Sequence, residues 1–151
     1  MPISKIAPIG RVVELFISKE GYSTRLKQDK ISLDLGGIIG DKYHNRDINR
    51  SVLLTATYSY DLAKSHNIKF DFGLLGENIL INYNPYHLKS GTKLQIGTSI
   101  IEINQNCTIC SHLSKVDKRL PKLLKNDRGI FVKVVKEGKI SLNDEIYLID
   151  E

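Results

Sequence analysis

The chain has 151 residues, 41% of them apolar and 26% charged, with a formal net charge of +5. That length suits one domain, read here as 1–151, with a core large enough to need no disulfide or metal staple. Two cysteines exclude a disulfide framework, no apolar run approaches the ~20 residues of a membrane helix, and the opening MPISKIAPIGR, broken by Pro2, Pro8 and Gly10, is not expected to act as a signal peptide.

Gly10 to Lys19 (GRVVELFISK) reads as a strand with loose alternation. After a polar turn, Ile31 to Leu35 (ISLDL) alternates as a short strand, and Gly36, Gly37 and Gly40 make a pliable loop ending in GDKYH. Arg50 to Ala56 (RSVLLTA) is a buried strand. A helix runs from Thr57 to about His66, with Tyr58, Leu62 and His66 spaced by four, until Asn67 stops it. Phe70 to Gly76 is a loop before a strand at Glu77 to Asn82. Lys93 to Ile96 and Ser99 to Gln105 are the arms of a hairpin turning at Gly97-Thr98. Cys110 to Leu124 is helical with an interruption before Pro121, because the residue before a proline disfavours helix. The tail, GIFVKVVKEGKISLNDEIYLID, adds two strands around Glu137-Gly138 and Asn143-Asp144.

Close-spaced strands with few helices imply a mainly β fold, a closed or partly closed barrel of about seven or eight strands with two or three short helices. Closure would remove the edges that so many isoleucine-rich strands otherwise present. The positive charge is concentrated: between Leu113 and Arg128 six basic residues face two acidic ones. Such a stretch either attracts phosphate, nucleic acid or an acidic partner, or is a solvated helix face.

Three clusters could carry chemistry. Cys107-Thr108-Ile109-Cys110-Ser111-His112 places two thiols where a strand yields to a helix, a setting that lowers a thiol's pKa. The pair can bind a soft metal or cycle through a disulfide, or be two half-buried cysteines; a structural zinc site would want four ligands. GDKYHNRDINR (Gly40 to Arg50) offers Lys42, His44, Arg46 and Arg50 to an anion, or is a solvated loop. FGLLGENILI sets Glu77 and Asn78 after a glycine turn, where an amide can read a heterocycle edge, unless the segment only turns into a strand.

Taken in order, these pieces resemble the MOSC domain, the module named for the C-terminal region of molybdenum cofactor sulfurases. The likeness runs from about Gly10 to Leu148. It rests on G-D-x-x-H with a following arginine (Gly40, Asp41, His44, Arg50) and the strand VLL. G-E-N (Gly76, Glu77, Asn78) and L-x-x-G-x-x-L-x-I-G (Leu88, Gly91, Leu94, Ile96, Gly97) follow, then a cysteine after a strand (Cys110). Gly129, Phe131, Val135, Gly138, Ile140, Asn143 and Asp144 close the pattern. Cys107 and Ile109 stand where family members often carry Arg and Pro, which leaves Cys107 as a second thiol suited to resolving or relaying sulfur. Asn143 stands in place of a glycine and tolerates the same left-handed turn geometry.

The resemblance implies a β barrel that binds molybdenum cofactor (molybdopterin) or carries its sulfur. Cys110 would be the metal ligand or persulfide bearer, and Lys42, His44, Arg50 and Asn78 would hold the cofactor. A soft thiolate suits a molybdenum–sulfur centre, and a pterin phosphate suits a cationic loop. The pyridoxal-phosphate region of larger relatives is not expected in this chain. A reductase of N-hydroxylated compounds and a pure carrier are both open, with a cysteine desulfurase or a redox protein as partner. The alternatives are a thiol-redox or sulfur-relay protein without molybdenum and a non-catalytic nucleic-acid-binding barrel. Aromatics interleaved with basics are missing for the latter. A cytoplasmic location is expected, because thiols persist in reducing compartments.

Overall fold

The computed structural model describes residues 7–22, 24–106 and 113–149. In chain order the elements are β1 (Gly10–Ile17), β2 (Leu26–Gln28), β3 (Lys30–Asp34), β4 (Gly37–Ile38), β5 (Val52–Ala56) and α1 (Thr57–Ser65). Then come β6 (Ile79–Ile81), β7 (Lys93–Ile96), β8 (Ser99–Asn106), α2 (Leu113–Val116), α3 (Leu120–Leu123), β9 (Ile130–Lys136), β10 (Gly138–Ser141) and β11 (Glu145–Ile149).

Seven strands close a barrel in the order β1-β11-β7-β8-β9-β5-β6, with β2 added beside β1. The seam is short: β1 gives Gly10 and Arg11 to β11, in register with Ile146 and Glu145, and then Leu15 to Ile17 to β2. Every pairing is antiparallel except β5 with β6, which run parallel and are joined by the α1 crossover. A second sheet, β10-β3-β4, lies over the barrel and sends Ile31, Leu33, Ile38 and Ile140 into its core. The mainly β barrel read from the sequence is therefore the fold, with three short helices.

Burial explains the strand sequences. β8 alternates, with Ser99, Ile101 and Ile103 inward, because its outer face meets solvent. β5 (VLLTA) and β6 (ILI) are buried throughout because each is covered on both sides. Val52, Leu54, Ile79 and Ile81 point into the barrel core. Leu80 points outward, where it meets Tyr60 and Ala63 of α1 and Leu113, Leu120 and Leu124 around α2 and α3. The buried stripe of α1 is Ser59, Tyr60 and Ala63, one position off the expected Tyr58-Leu62-His66 face; Tyr58 is 42% exposed. Asn67 ends that helix in the left-handed region at φ 62°.

Pro121 sits inside α3, in its first turn, so the interruption falls at Asp117–Arg119 rather than at Leu120. Proline is welcome there because first-turn amides have no intrahelical acceptor to lose. The tail forms three strands, with Glu137 and Asn143-Asp144 at the connections, and Asn143 takes the left-handed geometry at φ 68°. The two-residue β4 and the short β2 carry no alternation a reader could have seen. Among the described residues, no helix is long and apolar enough to cross a membrane.

Candidate functional site

A cavity of about 360 Å³ opens on the outer face of the barrel. Its floor is the cross-strand pair Leu53 and Phe131, opposite each other on β5 and β9 and both pointing away from the core. The 43–51 loop supplies Tyr43, Asp47, Arg50 and Ser51; Gly76 and Asn78 form another wall, and Arg25 and Arg128 complete it. Three arginines thus face one carboxylate, that of Asp47. The Arg50 guanidinium lies over the Phe131 ring at 5.3 Å, which fixes a flexible cation against a planar surface.

The loop is stapled to β1 by Asp41. Its Oδ1 accepts from the Ser18 amide at 2.6 Å and from Asn78 Nδ2 at 3.3 Å, and its Oδ2 accepts from the Tyr43 amide at 2.9 Å. His44 donates from Nε2 to Asp34 Oδ1 at 2.7 Å, tying the loop to the end of β3. That bond, with a second from the Gly36 amide, holds the Asp34 carboxyl below its usual value. The aspartate and histidine of G-D-x-x-H therefore brace the loop, while the arginine after them reaches the cavity.

Of the residues singled out in the sequence, Arg50 and Asn78 line the cavity and Lys42 and His44 do not. The Lys42 ammonium stands 5.1 Å from the centre of the Tyr43 ring. The amide of Asn78 is used within the protein: Oδ1 accepts from the Leu53 amide at 3.0 Å, and Nδ2 donates to Phe16 O at 3.2 Å. Cys107, Cys110 and His112 lie outside the described residues. The described chain approaches them along β8, whose last residue, Asn106, is in register with Ile130, next to the cavity floor.

Sequence reasoning missed Arg25, which sits in an unpatterned turn, and left Arg128 within a basic stretch that either attracts an anion or is a solvated helix face. Arg128 is only 4% exposed and donates from Nε to Leu75 O at 3.0 Å. Its carbonyl accepts from Thr55 Oγ1 at 3.0 Å, and Asp127 O accepts from Ser59 Oγ, so β5 and α1 fix its backbone. Ser59 also meets Tyr86 Oη at 2.6 Å, and burial pushes that phenol up to about 12. The other basic residues of the segment, Lys115, Lys118, Arg119, Lys122 and Lys125, are exposed, and Arg119 pairs with Asp117 at 2.9 Å. Its Nη1 donates to His66 O, which brings the end of α1 to the same face.

Behind the cavity lies a buried carboxyl. Glu77, between Gly76 and Asn78, is 0% exposed. Its Oε2 accepts from Tyr60 Oη at 2.5 Å and from the Gly73 amide at 3.0 Å, while Oε1 has no hydrogen-bond partner among the described residues. Burial raises the carboxyl above its usual value, with Tyr60, Gly73 and the Arg25 charge opposing. Burial also pulls Arg25 below its ordinary value, against the pull of Asp41 and Glu77.

Chemically, the cavity suits an anion with a flat or apolar body. A family model described as the MOSC domain matches residues 40–147. No curated protein matches the sequence. Among solved structures, the YuaD protein from Bacillus subtilis superposes with a TM-score of 0.75 at 18% identity, over 91% of this chain and 93% of that one. YiiM from Escherichia coli gives 0.69 at 18% identity, covering 93% and 70%. YiiM from Geobacillus stearothermophilus gives 0.67 at 16%, covering 94% and 74%.

Proposed function

The chain belongs to the MOSC domain family, and on that premise we propose that it binds molybdenum cofactor, or its sulfurated form, in the cavity over Leu53 and Phe131. The observation that carries this reading is the convergence of Arg25, Arg50 and Arg128 on one cavity of about 360 Å³ with a single lining carboxylate. The residues fit the group: guanidinium forks match a phosphate, and Leu53, Tyr43 and Phe131 give the cavity an apolar, aromatic lining for a planar pterin. Arg50 would hold the phosphate, its stem steadied on Phe131, while Asp41 and Asn78 keep the loop and β1 in place around it. Cys110, four residues after the end of β8, would be the ligand or persulfide bearer, with Cys107 as a second thiol. When bound, the group would supply a molybdenum–sulfur centre able to exchange electrons or an oxygen atom with a substrate. A cysteine desulfurase or a redox protein would be the partner.

The test is molybdenum and sulfane sulfur per chain in protein from a cofactor-competent host, for wild type, Cys107→Ser and Cys110→Ser. Loss of both in Cys110→Ser, with thermal unfolding unchanged, is the expected result. Full loading in that variant would sink the reading. Sulfane sulfur without molybdenum in the wild type would replace it with sulfur relay.

A further inference from the structure

A second cavity, of about 520 Å³, shares one residue with the first: Arg25. Its apolar lining is Phe16, Phe72 and Leu74, and its charged lining is Arg25, Lys27 and Asp71. Both volumes fall in the range of small-molecule sites. Nothing in the cofactor reading uses the second one.

The apolar side is built, not incidental. Phe72 and Leu74 are 39% and 36% exposed, side chains that folding usually covers. The Phe72 ring meets Tyr60 edge-on at 4.8 Å and 79°, so its orientation is set from one side while the rest faces outward. The loop between them is pinned from beneath, the Gly73 amide donating to Tyr60 Oη and to Glu77 Oε2, both at 3.0 Å. Gly73 has φ +96°, and a Cβ there would stand 3.0 Å from Phe16 Cε1, so the backbone lies directly on that ring. A rigid apolar wall of this kind binds a ring without first having to order itself.

The charged side has one group whose charge is poorly met. Lys27 is paired with Glu14 at 3.5 Å. Arg25 is not so placed: its Nη1 is buried without a hydrogen-bond partner and stands 4.0 Å from Asp41 Oδ1. That oxygen already accepts from Ser18 and Asn78. The Arg25 side chain as a whole is 19% exposed and lines the cavity, so an anion there would bring lone pairs to a half-buried guanidinium. Asp71, exposed in the same lining, excludes indiscriminate anion binding and sets a penalty that a ring on the apolar wall must offset.

We propose that this second cavity is a ligand site for an aromatic carboxylate, its ring on Phe16, Phe72 and Leu74 and its carboxylate on Arg25. The site has its own apolar wall and shares only Arg25 with the first cavity. Because Arg25 borders both, the carboxylate of a bound ligand lies at the wall of the first.

The probe is 2-naphthoate, with neutral 2-naphthamide as its control, titrated into the full chain and followed by calorimetry and by amide chemical shifts. Naphthoate should bind more tightly than naphthamide by about tenfold or more, with the largest shifts at the Phe72, Gly73 and Leu74 amides. Phe72→Ala should weaken naphthoate by about threefold to tenfold. Asp71→Asn should tighten it by about twofold, since a repelling charge is removed. Arg25→Gln should erase the preference for naphthoate; if that buried change prevents folding, the exposed Phe72 and Asp71 variants still decide. Arg50→Ala, confined to the first cavity, should leave naphthoate binding within about twofold. Absence of binding at millimolar naphthoate overturns the proposal. So does loss of binding in Arg50→Ala with none in Phe72→Ala, which places the probe in the first cavity.

Discussion

Tyr60 Oη donates to Glu77 Oε2 across 2.5 Å, and neither side chain meets bulk water to any extent, at 8% and 0% exposure. The same phenol oxygen accepts from the Gly73 and Leu75 amides at 3.0 and 3.4 Å. One hydroxyl therefore holds together α1, the loop bordering both cavities and the carboxyl behind them. Burial, followed by the charge of Glu77, drives the phenol far above its ordinary value, so it acts as a fixed donor.

Tyr60→Phe should lower stability by about 1–3 kcal/mol, the usual loss when a buried acceptor is left without its hydrogen bond. Urea unfolding measures it. A change below about 0.5 kcal/mol would mean the hydroxyl is replaceable by water.

Glu77 gives a pH dependence whose sign is set by burial. Its folded value is raised above the ordinary 4.5, so the folded state holds the proton more tightly than the unfolded chain. The stability linked to that proton is fully present below the ordinary value and is lost as pH rises through the folded one. Glu77→Gln carries no such titration. Wild-type stability minus that of Glu77→Gln should therefore fall as pH rises above the ordinary value of 4.5, and a flat or rising difference would contradict the raised value.

Arg50 and Lys42 should separate. Arg50→Ala removes a guanidinium from the cavity wall and should weaken cofactor retention by about tenfold to a hundredfold. Lys42→Ala removes an ammonium outside the lining, over the Tyr43 ring, and should change retention by no more than about threefold. Molybdenum remaining per chain after dialysis at stepped salt reads both. Equal losses would place the anion outside the cavity.

The turn after β7 and the first position of β10 should tolerate no side chain. A Cβ at Gly97 would stand 2.3 Å from Lys139 O, with φ at +59°, and one at Gly138 would stand 2.5 Å from Thr98 O. Gly97→Ala and Gly138→Ala should each cost about 1–3 kcal/mol, more at Gly97 where the backbone is also left-handed. Thermal unfolding of both variants checks the order.

The sequence revealed most where one face is wet and one is dry. β8 alternates because its outer face meets solvent, and α1 ends at Asn67 because a left-handed residue was needed there. It was silent where pairing partners, not periodicity, define the element: β4 is two residues, and its identity rests on Leu33 and Asp34 beside it. The apolar face of α1 was misplaced because Tyr58 and Tyr60 look alike in a string, and only the carboxyl of Glu77 tells them apart. The site was half legible for a related reason. Arg50 and Asn78 belong to recognisable runs, whereas Arg25 and Arg128 come to the cavity from far along the chain. A formal charge count cannot distinguish the buried Arg128 from Lys125 in solvent. Asp41 and His44, which look like ligands, are spent on Ser18, Asn78 and Asp34.

The barrel is sealed where Gly10 pairs with Ile146 and Arg11 with Glu145, flanked by amide bonds from Ile9 to Ile146 O, Val12 to Asp144 O and Asn143 to Val12 O, contacts drawn from nearly opposite ends of the sequence. Contacts of such long separation form late, since the intervening chain loses much of its freedom before the contact offers anything in return. On the ribosome, β1 emerges first and must wait for β11 to be synthesised. Until then its outer edge is open to any extended peptide nearby. The hairpin arm β2, which covers Leu15 to Ile17 from only about ten residues downstream, shields part of that edge at once. The strand that the finished barrel does not need for closure thus gives this part of the β1 edge a partner close in sequence, whereas the seam with β11 needs the far end of the chain.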